Sequence, residues 1–108
     1  RSKNMLLGPN GQNIYPEEIE DKLSNMTLVS ECLVVQRDNK LVGLVYPDQE
    51  QIKNLNLSEA DIESIMEQNR KEVNPTLPSY AQLISIKVMD KEFEKTPKKS
   101  IKRFLYQN

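Results

Sequence analysis

Five cations and no anion crowd into the twelve residues KTPKKSIKRFLY, Lys95 to Tyr106, of a chain whose net charge is only −1. Three kinds of chemistry fit such a run. As a solvated face it performs none. As a nucleic-acid patch it would track a phosphate backbone, but it lacks interleaved aromatics and sits on a near-neutral domain. As an arm of an active site, a lysine is a mobile point charge on a long stem. It can reach into a cleft and offset negative charge on a phosphate or carboxylate.

Other reactive groups are sparse. Glu17, Glu18 and Glu20 could do acid–base work only with a pocket and a perturbed pKa, and a solvated first helical turn is the plainer reading. Cys32 lies in an apolar run of a chain with no histidine to activate it, so it reads as core. The loop GPNGQN carries two glycines that would let a ligand approach the backbone, and a surface turn explains it equally well.

Composition narrows the class. The chain has 108 residues, 37% apolar and 29% charged, as expected of one soluble globular domain. A nucleic-acid-binding domain would usually be basic throughout. No apolar run approaches the about 20 residues that span a bilayer, and no stretch has the make-up of a signal peptide. One cysteine rules out an internal disulfide and fits a reducing compartment, so the expected location is cytoplasmic. Without histidine or a second cysteine no zinc site is expected, and the metal-ligand set is empty. Three glycines, Gly8, Gly11 and Gly43, make no phosphate-cradling loop. The chain opens at Arg1 without a methionine and reads as part of a longer polypeptide.

The elements that must position these groups follow from periodicity. Met5 to Leu7 is a short apolar run before the glycine loop. YPEEIEDKLSNM predicts a helix, with Pro16 at its first position, Glu17 and Glu18 at the positive end of its dipole, and Ile19, Leu23 and Met26 on one face. VSECLVVQRDNKLVGLVYPD predicts a β-hairpin turning at Asp38-Asn39 and closed by Pro47. Ser58 with Asp61 predicts a capping box, and Leu57 with Ile62 a hydrophobic staple. That second helix buries Ile62, Ile65, Met66 and Val73 and ends before Pro75 and Pro78. QLISIKVM predicts a strand with Ile84, Ile86 and Val88 on one face and Leu83 and Met89 on the other. The sum is an α+β domain: a small sheet of about three strands, a hairpin plus a third strand, with helices packed on it.

In this order the pieces resemble the C-terminal subdomain of AMP-forming acyl-CoA synthetases, the adenylate-forming superfamily. RSKNMLLGPNGQNIYPEEIE is similar to the family's arginine, hinge residue, apolar strand, glycine loop and Pro-x-Glu-Ile-Glu. LPSY, a strand, and KTPKKSIKR are similar to its lysine motif, Pro-Lys-Thr-x-x-Gly-Lys-Ile-x-Arg. The Thr-Pro and IKRFLY wording most resembles long-chain fatty-acid CoA ligases. The resemblance implies that residues 1–108 are the mobile C-terminal subdomain of such an enzyme and inactive alone. A large N-terminal domain, not in this chain, would be its partner and would hold ATP, Mg2+ and the fatty acid. The acid would be activated to an acyl-adenylate and then transferred to CoA, the small domain rotating between the steps.

The resemblance also assigns residues. Arg1 matches the nucleotide-contacting arginine and Lys3 the hinge. Asn10, Gly11, Gln12 and Asn13 match the loop that makes room for the pantetheine arm of CoA. Glu18 matches the motif glutamate, with helix initiation the other reading of Glu18 and Pro16, and Arg103 matches the motif arginine. The lysine motif departs from the pattern: Glu94 stands at the proline, Lys99 at the glycine and Ser100 at the catalytic lysine. Serine brings no positive charge, so Lys99, and after it Lys98, is the expected substitute. Rival readings are a ligase for another carboxylate, an adenylation domain that loads a carrier-protein thiol, and a non-catalytic interaction module. No nucleic acid and no transmembrane segment is expected, and peripheral membrane association of the full enzyme is compatible with the reading.

Overall fold

The computed structural model describes residues 5–8 and 10–106. Strands β1 (Leu6–Leu7) and β2 (Asn13–Ile14) form a short antiparallel hairpin around the glycine loop. Helix α1 (Pro16–Leu23) follows at once, with Pro16 at its start and Glu17 and Glu18 in its first turn. It ends at Leu23, so Met26 lies in the following turn and not on the helix, although it still packs against the core.

Strands β3 (Val29–Arg37) and β4 (Lys40–Pro47) pair antiparallel. Asp38 and Asn39 both take positive φ, 53° and 63°, as a tight two-residue turn requires. A short helix α2 (Gln49–Leu55), capped by Asp48, precedes α3 (Glu59–Val73). The capping box of α3 is present: Asp61 N–H donates to Ser58 Oγ at 3.2 Å, and Ser58 N–H to Asp61 Oδ2 at 3.0 Å. Leu57 and Ile62 both pack against the main core. Strand β5 (Leu83–Val88) then returns parallel to β4, giving the order β3-β4-β5 in an α+β domain.

Strict alternation fails in β5. Leu41 pairs with Leu83 and Val42 with Ser85, so Ile84 is an extra, bulged residue and is 52% exposed. The bulge brings Leu83 to the same core as Ile86 and Val88, whereas Met89 packs with the opposite cluster.

The sheet is buried on both faces, which explains the near-continuous apolar runs of β3 and β4. One face takes Cys32, Val34, Leu41 and Val45 against Leu23 of α1 and Met66 and Val73 of α3. Gly43 lets α1 settle onto the sheet: a Cβ there would stand 3.3 Å from Leu23 Cδ2 and 3.3 Å from Leu83 Cδ1. The other face takes Leu33, Val35, Val42 and Leu44 against Phe93, with Ile101 and Tyr106 packed alongside. Among the described residues no α-helix covers that second face. The C-terminal segment does.

Candidate functional site

The lysine motif folds as a small hairpin. Lys95 bridges Ile101, Thr96 N–H donates to Ser100 C=O at 2.8 Å, and Lys99 N–H donates to Thr96 C=O at 2.8 Å. This is the three-residue hairpin loop in which a turn is followed by a left-handed residue. Lys99 is that residue, with φ of 67°. Glycine suits such a position and a side chain is strained there. Thr96 Oγ1 accepts from Ser100 N–H at 3.3 Å and closes the loop.

Core residues hold both stems of the hairpin. Phe93 and Tyr106 meet edge to face with centroids 5.0 Å apart, and Glu94 N–H donates to Tyr106 Oη at 2.8 Å. Lys95 Nζ pairs with Glu31 of β3 at 2.5 Å, and this carboxylate holds the ammonium pKa above its usual range. Arg103 Nη2 pairs with Glu20 Oε1, while Glu20 Oε2 accepts from Val34 N–H at 2.7 Å. Burial raises the Glu20 pKa; its bonds to Arg103 and Val34 counter part of that rise.

The basic run is therefore not one solvated face. Lys95 and Arg103 are neutralised inside the domain, whereas Lys98, Lys99 and Lys102 make no ion pair among the described residues. Lys99, Ser100, Lys102 and Arg103 line one wall of an open groove of about 680 Å3, with Glu17 and Glu20 of α1 on the other. Lys98 is exposed and off this groove.

A second groove, about 400 Å3, lies on the other flank of α1. Asn13, Glu18, Lys22, Leu77, Pro78 and Tyr80 line it. Gly11, at the turn of the adjoining β1–β2 loop, has φ of 83° and open space where a Cβ would be. Asn10 and Gly11 are exposed and Gln12 half-buried, with Gln12 Oε1 accepting from Asn10 N–H at 3.1 Å. Pro16 is buried at the start of α1. Asn13 and Glu18 thus line a groove on one flank of α1, and the lysine hairpin lines a groove on the other. Arg1 and Lys3 lie outside the described residues.

One reading of a candidate site residue needs correction. Glu20 is not a solvated first-turn carboxylate; it is 13% exposed and paired. Its place at the edge of the Ile19–Leu23 stripe was the available signal. Glu31 gave none, since its partner is 64 residues away along the chain. Cys32 is core as expected: burial pushes its thiol up to about 12, and Sγ lies 3.4 Å from the Glu20 carbonyl. Among the described residues no group of His, Cys, Asp and Glu side chains could hold a metal ion, and no helix is long and apolar enough to cross a membrane.

Fold and site define a small α+β domain that offers two loop-lined grooves, one on each side of a single helix. The chain belongs to the AMP-binding enzyme C-terminal domain family, whose model matches residues 3–107. Among solved structures it is similar to the anthranilate CoA ligase bound to anthranoyl-AMP, at 28% identity and TM-score 0.69, over 97% of this chain and 19% of that one. It is also similar to Mycobacterium tuberculosis fatty acyl CoA synthetase, at 21% identity and TM-score 0.69, over 97% and 19%. The adenylation domain of a Mycobacterium chelonae carboxylate reductase shares the fold at 18% identity and TM-score 0.79, over 95% and 17%. The chain thus spans about a fifth of the length of the proteins it matches. No curated protein matches it significantly.

Proposed function

We propose that the chain is the mobile C-terminal subdomain of a cytoplasmic AMP-forming acyl-CoA ligase acting on long-chain fatty acids. The observation that carries this reading is that the lysine hairpin lines one groove beside α1 while Asn13 and Glu18 line another on its opposite flank. A domain that must present one face for adenylation and another for thioester formation needs such a division. The family match over 3–107 supports it.

In the first step the acid's carboxylate attacks the α-phosphate of ATP and pyrophosphate leaves. Negative charge builds on oxygens at the cleft, and a cation from the lysine hairpin offsets it. ATP and Mg2+ are held mainly by the N-terminal domain; this chain contributes the charge and excludes water. Lys99 is the residue assigned to that task, because it lines the groove beside Ser100 and its backbone keeps the glycine-like conformation that fixes the register. Lys98, off the groove, is the second choice. In the next step rotation about Lys3 brings in the Asn10–Asn13 loop, the CoA thiol attacks the acyl carbonyl, and AMP leaves. Arg1 contacts the nucleotide near the domain junction.

The test is ATP–pyrophosphate exchange by the full-length protein with palmitate and shorter acids. Exchange that is fastest with palmitate supports the reading; no exchange with any acid overturns it. Ser100 favours a second reading, a non-catalytic module; an adenylation domain that loads a carrier-protein thiol is the other alternative. Thioester formed only on a carrier protein would decide for the latter, and none at all for the former.

A further inference from the structure

A single carboxylate ties three parts of the chain together. Glu20 belongs to α1, accepts the Val34 N–H of β3 at 2.7 Å, and pairs with Arg103 beyond the lysine hairpin. The two side chains are 13% and 16% exposed, so the pair is little screened and directional. Arg103 sits two residues past Ile101, which closes the hairpin against Lys95, and Arg103 N–H donates to the Ile101 carbonyl at 2.9 Å. Any shift at Glu20 is therefore passed to the base of the hairpin within one bonded turn. The opposite stem has its own tie, Lys95 to Glu31, also on β3. The second groove lies across α1 from these contacts and shares no residue with the first.

We infer that Glu20 is a positioning residue for the lysine hairpin, setting through Arg103 where Lys99 and Ser100 stand against α1. This rests on the proposed adenylating role of that groove. Losing the tie leaves the C-terminal stem held by the packing of Ile101 and Tyr106 and by the Lys102–Glu94 backbone bond, and the hairpin tip samples positions away from the reacting oxygens. The consequence is specific to one half-reaction, since the glycine loop is positioned by the β1–β2 pairing.

The test uses full-length Glu20→Gln, which keeps an acceptor for Val34 N–H but drops the charge. Pyrophosphate exchange falls about 10- to 100-fold, the size of effect that an ångström of misplacement produces. Thioester formation from preformed acyl-adenylate stays within about twofold of the parent. Tryptic cleavage after Lys98 and Lys99 becomes several-fold faster, and this reads hairpin mobility without any activity. Arg103→Lys keeps a charge but loses the planar fork, and should shift the same three readouts part of the way; it also serves if Glu20→Gln does not fold. Unchanged cleavage, or equal loss in both half-reactions, contradicts the inference. If the parent protein exchanges with no acid, the proposed function fails while the cleavage rate still decides the role of Glu20.

Discussion

The two faces of the sheet are built by different means. On one face α1 and α3 lay regular apolar stripes, Ile19 and Leu23, then Met66 and Val73, on Val34, Leu41 and Val45. On the other face an irregular segment drops Met89, Phe93, Ile101 and Tyr106 one at a time onto Leu33, Val35, Val42 and Leu44. The helical face makes the domain fold; the irregular one also carries the charged hairpin. The loop proposed to bring charge to a substrate is strung between residues of a core, so its position inherits the rigidity of that packing. The same arrangement leaves the tip, Pro97 to Ser100, exposed.

Truncating each face breaks the comparison most severely. Phe93→Ala should cost about 3–5 kcal/mol and Leu23→Ala about 2–5 kcal/mol by urea unfolding. The difference appears in activity per folded molecule: Phe93→Ala also lowers pyrophosphate exchange, whereas Leu23→Ala leaves it near the parent rate. Equal effects on exchange would mean that the tail packing does not set the hairpin. Ser100→Lys is the next largest test. Placing a charge where the motif lysine is expected should raise exchange about tenfold, about 1.4 kcal/mol in the barrier.

Lys99→Gly separates stability from function at one residue. Relief of the left-handed strain should raise stability by up to about 1 kcal/mol, reduced by the extra freedom glycine gives the unfolded chain. Exchange should fall at the same time. A variant that is both more stable and fully active would remove Lys99 from the charge-bearing role.

The smallest effect concerns Glu20 and pH. Its carboxyl is raised above the ordinary 4.5, chiefly by burial. Between that value and the raised one the folded chain binds more protons than the unfolded chain, so stability falls as pH rises through the window. Above the window the slope from this group vanishes. Urea unfolding at a series of pH values should show this decline, and Glu20→Gln should remove it.

Most of the helical face was legible in the sequence because its signals are periodic or local. Pro16, the Ser58–Asp61 capping box and the Asp38-Asn39 turn each act within a few residues. The irregular face was not legible. Phe93, Ile101 and Tyr106 are eight and five residues apart and match no helix or strand period, so only the fold brings them together. The bulge at Ile84 is equally silent, since it depends on the register with β4. Helix α2 was not legible because none of its residues is buried, leaving only its caps, Asp48 and the left-handed Asn56, as cues. Within the site, the resemblance named the loops and Arg103. Its Pro-x-Glu-Ile-Glu pattern ended on Glu20 without giving that residue a role, and it did not reach Glu31; the long-range pairs of these two decide which cations remain available.

In the proposed function, the segment covering the sheet face opposite α1 and α3 brings a positive charge to adenylation at Lys99. ATP–pyrophosphate exchange by full-length Lys99→Ala, measured beside thioester formation from preformed acyl-adenylate, tests it most directly. Exchange should fall about 100-fold, comparable to removing one preorganised transition-state contact, with thioester formation retained. Exchange at the parent rate would contradict it.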